Sequence, residues 1–247
     1  MFPRLCLASR LLCIGIHLWA GCLKIACLFP FLSERQRSEQ VQKWSVILLR
    51  LCRVRLHLHH ADNALHHGLY VCNHISWLDI FVINAWRPCA FVCKDDVKSW
   101  FIIGYLVSNT GNIFISRSNK KMAAAAMENI SQRLKKYERI AFFPEGTSSD
   151  GSVLLPFKSY VFQAALDAGT PVQPLALRYL NHDKTLCRAA AYYGDMSLWQ
   201  SLCALLRCPE TEAHLSVLNP IDDTAENRRG LCERSYQAVS ECLADTK

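Results

Sequence analysis

The feature that most constrains this chain is a change of hydrophobic period near Arg53. Before it, apolar residues come in helix-like runs. After it, Val54, Leu56 and Leu58 alternate with Arg55, His57 and His59, the two-residue period of a strand. Strand-like runs then recur at 54–59, 69–73, 89–93, 112–116, 139–143, 172–178 and 213–218. Helix-like runs fall between or after them at 77–86, 96–107, 119–137, 157–168 and 225–243. The run 119–137 is the plainest helix, with Ser118 or Asn119 as its cap and Ala123 to Ala126 of high propensity. This alternation predicts an α/β fold, with a mostly parallel or mixed central sheet flanked by helices. The chain divides at the change of period into an N-terminal helical segment, 1–52, and a domain, 53–247.

Charge follows the same division. Lys and Arg number 28 against 21 Asp and Glu, a formal net charge of +7. The first sixty residues hold nine basic side chains and two acids, so the whole excess lies there and the rest is formally neutral. A neutral body argues against a nucleic-acid-binding domain. With 51% hydrophobic and 20% charged residues, the chain is not disordered. The apolar runs 11–23 and 25–32 are split by Lys24, and Pro30 is expected to bend or end a helix. Neither run alone reaches the roughly 18–20 residues of a bilayer span. Arg10, His17 and Lys24 recur every seven residues, a narrow polar stripe on a greasy helix. With a second amphipathic helix over 41–52, this predicts membrane-associating helices at an anionic membrane surface, lying in the interface, with a tilted span with snorkelling ends as the alternative. Trp19-Ala20-Gly21-Cys22 has the look of a lipoprotein cleavage box, but Trp19 fits it poorly, and the leader is expected to be retained. The thirteen cysteines are odd in number, include no C-x-x-C pair and mostly lie in apolar runs. They read as reduced and structural, in a chain facing the cytosol.

In α/β sheets, reactive groups gather beyond the carboxyl ends of strands. Here His74 follows 69–73, Arg117 follows 112–116, and Pro144-Glu145-Gly146-Thr147 follows 139–143. His74 and Asp79 would stand ~140° apart on one regular helix and could not meet. They meet if His74 sits in a strand-to-helix turn and Asp79 in the first turns of the helix. Asp79 would then fix the imidazole tautomer and leave the other ring nitrogen as a base. An Arg closing an apolar strand suits bidentate binding of phosphate or carboxylate. Gly146 permits close backbone approach, and Thr147 and Ser148 offer hydroxyls and amides to an oxyanion. Taken singly, each motif also fits an ordinary packed Asp, a surface ion pair or a strand-exit turn. His57, His59, His60, His66, His67 and His74 crowd one short stretch. His57 and His59 share a strand face and have zinc-ligating chemistry. A solvated hairpin is the preferred reading, and no metal is assigned.

Together and in this order, the motifs resemble those of the glycerolipid acyltransferase family, whose best-known members are the 1-acylglycerol-3-phosphate acyltransferases. The match is N-H-x-x-x-x-D at Asn73–Asp79, G-x-I-F-I-x-R at Gly111–Arg117, F-P-E-G-T at Phe143–Thr147 and V-x-P at Val172–Pro174, a core of about residues 54–180. The resemblance implies a catalytic pair, His74 as general base and Asp79 as its orienting partner. It implies that Arg117 holds the acceptor's phosphate and that Glu145, Gly146 and Thr147 shape the acceptor site. The donor would be acyl-CoA or acyl carrier protein, the acceptor a lysolipid hydroxyl, with no metal or organic cofactor. The enzyme would be membrane-associated with its active site facing the cytoplasm. Many members continue F-P-E-G-T-R, whereas Ser148 stands here, which weakens the case for a strongly anionic acceptor. Lyso-ornithine lipid is therefore the alternative acceptor. A thioesterase using Cys72 is a further alternative, though burial at the end of an apolar strand favours an inert thiol.

Overall fold

The strand-like runs become β1 (Val54–His59), β2 (Gly68–Cys72), β3 (Ala90–Lys94), β4 (Ile113–Ile115), β5 (Arg139–Phe142), β6 (Val172–Leu180) and β7 (Thr211–Val217). The structure is a computed structural model that describes residues 7–100, 102–116, 119–222 and 227–245. The strands form one sheet in the order β1-β7-β6-β2-β5-β3-β4. From β6 to β4 the neighbours are parallel. At the other edge β7 runs antiparallel to β6, and β1 parallel to β7. The sheet is thus mixed, with a parallel body.

The helices are α1 (Leu7–Cys27), α2 (Glu34–Leu51), α3 (Asp79–Trp86), α4 (Ile103–Ser108), α5 (Lys120–Lys135), α6 (Phe162–Ala168), α7 (Leu198–Arg207) and α8 (Arg228–Asp245). They cover both faces. In β2 every residue is buried, as expected of a parallel strand sandwiched between helix layers. Its alternate residues serve two cores. Tyr70 and Cys72 join Leu48 and Leu49 of α2, Val82 and Ile83 of α3 and Leu206 of α7. Leu69 and Val71 join Ile130 of α5, Phe162 of α6 and Leu231 of α8.

Several expectations change. The run 96–107 is not one helix: a 3-10 turn spans Asp95–Ser99 and α4 begins at Ile103. Ile102 has φ +60°. The chain folds back so closely that a Cβ on Gly104 would run into the Lys98 carbonyl oxygen. Helix 157–168 starts only at Phe162, because the preceding backbone is committed elsewhere, with Lys158 N–H donating to Pro144 O at 2.9 Å. α7 was not expected, although Ser197 and Gln200 form a capping box at its start. His57 and His59 do not lie on a hairpin either, since β7 and β6 separate β1 from β2.

The N-terminal helix differs most. α1 runs unbroken through Lys24 for 21 residues and is long and apolar enough to cross a bilayer by length and composition. Pro30 falls in the 3-10 turn that follows. Its polar stripe faces inward. Arg10 is buried and donates to the carbonyls of Leu206 and Leu51. His17 bonds to the Trp44 carbonyl at 3.0 Å and stacks on the Trp44 ring, centroids 4.5 Å apart. Lys24 reaches Gln40 Oε1 at 3.2 Å. Polar groups against a packed surface need partners, and here α2 and α7 supply them. The outer face carries Leu12, Ile16, Trp19 and Leu23, each more than half exposed, at helical spacing.

Candidate active site

β2 and β5 are parallel neighbours with Val71 opposite Phe142. The same register three residues on sets His74 beside Glu145, just past the carboxyl ends of both strands. Asn73 fixes the exit from β2. Its Oδ1 accepts from Leu177 N–H at 2.7 Å and its Nδ2 donates to Leu177 O at 2.9 Å, tying the turn to β6. The chain then enters α3, whose first residue is Asp79.

That path brings His74 and Asp79 together. His74 Nδ1 lies 2.7 Å from Asp79 Oδ2. The same oxygen accepts the backbone N–H of Ile75 at 2.7 Å and of Ser76 at 3.0 Å. Tyr179, on β6, donates its hydroxyl to Oδ1 at 2.8 Å. Asp79 is 0% exposed, and such burial is tolerable for a carboxylate only when its lone pairs are filled in this way. A carboxylate facing Nδ1 places the imidazole proton there and leaves the lone pair on Nε2. Among the described residues Nε2 has no hydrogen-bond partner, and the His74 side chain is 21% exposed. The ring lies flat on Phe143, centroids 4.2 Å apart and planes 12° from parallel. Two chemically different contacts thus set its orientation.

Glu145 is 3% exposed. Oε1 accepts His74 N–H at 2.6 Å and Oε2 accepts Leu155 N–H at 2.9 Å. Burial pushes its carboxyl up to about 7, against the opposing pull of these two amides. Both oxygens are occupied, so Glu145 holds backbone rather than reaching into open space. Gly146 has φ +70°, a conformation glycine adopts without strain. Thr147 is exposed, and both residues line the space in front of His74. The Ser148 hydroxyl is committed to the Tyr192 carbonyl. Arg117 lies outside the described residues; β4 ends at Ile115, two positions earlier.

In front of His74 lies a cavity of about 490 Å³, within the ordinary size range of small-molecule pockets. Ile14, Leu18 and Ile25 of α1, Trp44 of α2 and Phe81 of α3 form much of its wall. It is an apolar pocket with the His74 imidazole at its edge. Cys72, beside this turn, is 1% exposed. Burial pushes its thiol well above the usual range, and the carboxylates of Asp79 and Glu145 push it further. It therefore offers no thiolate nucleophile. Every described cysteine is free.

Sequence reasoning missed Tyr179, Phe143 and the Leu155 amide. The alternation Leu175, Leu177, Tyr179 on β6 already puts the tyrosine on the same face as Cys72, and extending that strand past Arg178 would have found it.

A family model described as acyltransferase matches residues 53–178. A 1-acyl-sn-glycerol-3-phosphate acyltransferase of Neisseria meningitidis is 33% identical over 179 residues, 72% of this chain and 69% of that protein. A lyso-ornithine lipid O-acyltransferase of Pseudomonas aeruginosa is 33% identical over 178 residues, 72% and 68% of the two chains. One from Rhizobium meliloti is 32% identical over 236 residues, 90% and 80%. Among solved structures, the 1-acyl-sn-glycerophosphate acyltransferase of Thermotoga maritima has the same fold, with a TM-score of 0.67 at 18% identity over 96% of each chain. With half the chain under the family model and relatives matched along more than two thirds of both lengths, the chain belongs to the acyltransferase family.

Proposed function

We propose that this protein is an O-acyltransferase that moves a fatty acyl chain from acyl-CoA or acyl carrier protein to the free hydroxyl of 1-acyl-sn-glycerol-3-phosphate, giving phosphatidic acid. The observation that carries this reading is the His74–Asp79 pair at 2.7 Å, with Nε2 unbonded among the described residues at the edge of an apolar cavity.

Nε2 takes the proton of the acceptor hydroxyl as its oxygen attacks the thioester carbonyl carbon. The C–O bond forms, the C–S bond breaks, and the imidazolium returns the proton to the departing thiolate. Asp79 stabilises the imidazolium, and Tyr179 with two backbone amides keeps Asp79 in place. Atoms balance without a metal or organic cofactor. Glu145 acts as a positioning residue that holds the His74 backbone. Gly146 and Thr147 border the acceptor's place, and Arg117 is assigned to its phosphate. The cavity takes the acyl chain.

Residues 1–52 serve as the membrane-associating segment and 53–247 as the catalytic domain. The exposed apolar stripe of α1 supports contact with a membrane surface, and described cysteines that are all free support a site facing the cytoplasm. A second reading takes lyso-ornithine lipid as acceptor. It is favoured by Ser148 in place of an Arg, and by the relative of that name that matches along 90% of this chain.

The test is acyl transfer by the purified wild type and by His74→Ala, with lysophosphatidate and lyso-ornithine lipid as acceptors and both donor types. Turnover of the variant near wild type would refute the assignment. Faster transfer to lyso-ornithine lipid would move the acceptor to the second reading.

A further inference from the structure

At the edge of the sheet farthest from β4, β1 and β7 pair with His57 opposite His214 and Arg55 opposite Glu212. Residues two apart share a strand face, so His57, His59, Glu212 and His214 stand together. They face away from the core-facing Ala213 and Leu215. The His57 and His214 rings stack with centroids 4.7 Å apart, and those of His59 and His214 at 5.2 Å. His59 Nε2 lies 2.9 Å from His214 Nδ1, and His214 Nε2 lies 3.0 Å from Glu212 Oε2. Lys184 pairs with that carboxylate oxygen at 2.5 Å. One ligand atom from each of His57, Glu212 and His214 falls within 4.8 Å of the others. The Nε2 of His57 is buried and has no hydrogen-bond partner among the described residues. A buried nitrogen of that kind is costly unless something fills its place.

We propose that His57, Glu212 and His214 form a binding site for a divalent transition metal, zinc foremost, that ties β1 to β7. Two imidazoles and a carboxylate, with water in the fourth position, are a donor set zinc accepts at about 2.0–2.2 Å. Small side-chain rotations on two hydrogen-bonded strands draw the three atoms in. To ligate through Nε2, His214 must carry its proton on Nδ1, and His59 Nε2 is in place to accept it. Lys184, whose side chain is 63% exposed, swings into solvent as the ion replaces its charge. Two strands separate β1 from β2, about 14 Å at ordinary strand spacing. The ion is therefore a clip on the strand that carries α1 and α2, outside the acyl-transfer step.

The experiment uses full-length, untagged protein in detergent, stripped with chelator and dialysed against zinc, then against cobalt. One equivalent of zinc per chain is expected, with a rise in melting temperature of about 5–10 °C at a hundredfold excess over Kd. Cobalt should give tetrahedral bands without thiolate charge transfer. His57→Asn and Glu212→Gln should each lose the equivalent and the thermal shift while keeping acyl transfer. Their metal-free melting curves show whether they fold, and Lys184→Ala, which leaves the ligands intact, should bind zinc more tightly. No saturable zinc in the wild type, undiminished binding in the folded ligand variants, or a cobalt spectrum with thiolate charge transfer would each overturn the proposal.

Discussion

Replacing Asp79 by Asn removes the charge behind His74 and little else. Asp79 Oδ2 accepts two backbone amides and His74 Nδ1. Because backbone amides can only donate, the asparagine oxygen must stay on that side. Its NH₂ then turns toward Tyr179, whose hydroxyl can accept as well as donate. The imidazole tautomer survives; what is lost is the stabilisation of the imidazolium formed when Nε2 takes its proton. A hydrogen bond to a charged group is worth about 1.5–3 kcal/mol and a neutral one about 0.5–1.5. The difference of roughly 1–2 kcal/mol corresponds to a fall of about 5- to 30-fold in kcat, with KM for either substrate little changed. Tyr179→Phe removes only the bond to Oδ1 and should cost less, about 2- to 5-fold. His74→Ala removes the base itself and should cost about 10²–10⁴-fold. Steady-state assays on the three variants, with melting curves to confirm folding, give the ranking His74→Ala, then Asp79→Asn, then Tyr179→Phe. An Asp79→Asn enzyme that folds normally and keeps more than half of wild-type kcat would refute the imidazolium argument. So would a loss confined to KM.

Cys72→Ala should retain most activity, because the thiol is buried and held protonated; loss of turnover in a folded variant would restore the thioesterase reading. Glu145 gives a pH signature. Its carboxyl is raised from an ordinary 4.5 to about 7. Its contribution is thus fully present below pH 4.5 and is lost as pH rises through about 7, a change of order 3 kcal/mol. Urea midpoints of wild type minus Glu145→Gln should fall over that window, and parallel curves would count against it. Replacing Leu12, Ile16, Trp19 and Leu23 by Ser should release the protein from anionic vesicles in a flotation assay while leaving the polar contacts of α1 intact; unchanged flotation would deny the stripe its role. Gly21→Leu should lower activity toward long acyl donors more than short ones, because even a Cβ there would lie 2.7 Å from Trp44 Nε1 beside the cavity.

Much of the sheet was legible because short apolar runs bounded by polar or turn residues are a local signal, and all seven strand-like runs overlap a strand. The meeting of His74 and Asp79 was legible as a condition, since five-residue spacing requires a turn between them. What local pattern could not carry was contact between distant segments. Tyr179 reaches Asp79 across one hundred positions, and Leu155 reaches Glu145 from a loop without periodicity. The histidines of β1 were misplaced for the same reason: nothing near them in sequence announces pairing with β7. α1 shows a subtler failure. Its heptad of Arg10, His17 and Lys24 was visible, but periodicity shows that a face exists and not which way it turns. Burial of Arg10 against Leu206 settles that.

The inward turn of that stripe alters how charge and membrane contact relate. Arg10 and Lys24 belong to the excess of +7, yet both are engaged inside the fold. What α1 offers outward is apolar area. Its inner face, through Ile14, Leu18 and Ile25, lines the cavity in front of His74. On the proposed membrane placement, a single helix would then have lipid on one side and the acyl chain on the other. Each methylene of an acyl chain moved into water costs about 0.8 kcal/mol, so exposing a sixteen-carbon chain would cost on the order of 12 kcal/mol. That is comparable to the whole stability of a domain. On that placement, a cavity walled by α1 would let substrate pass between apolar surroundings without that cost. The polar stripe is what makes such a wall possible: hydrogen bonds to α2 and α7 hold α1 in place, so its greasy outer face need not be buried to keep it there.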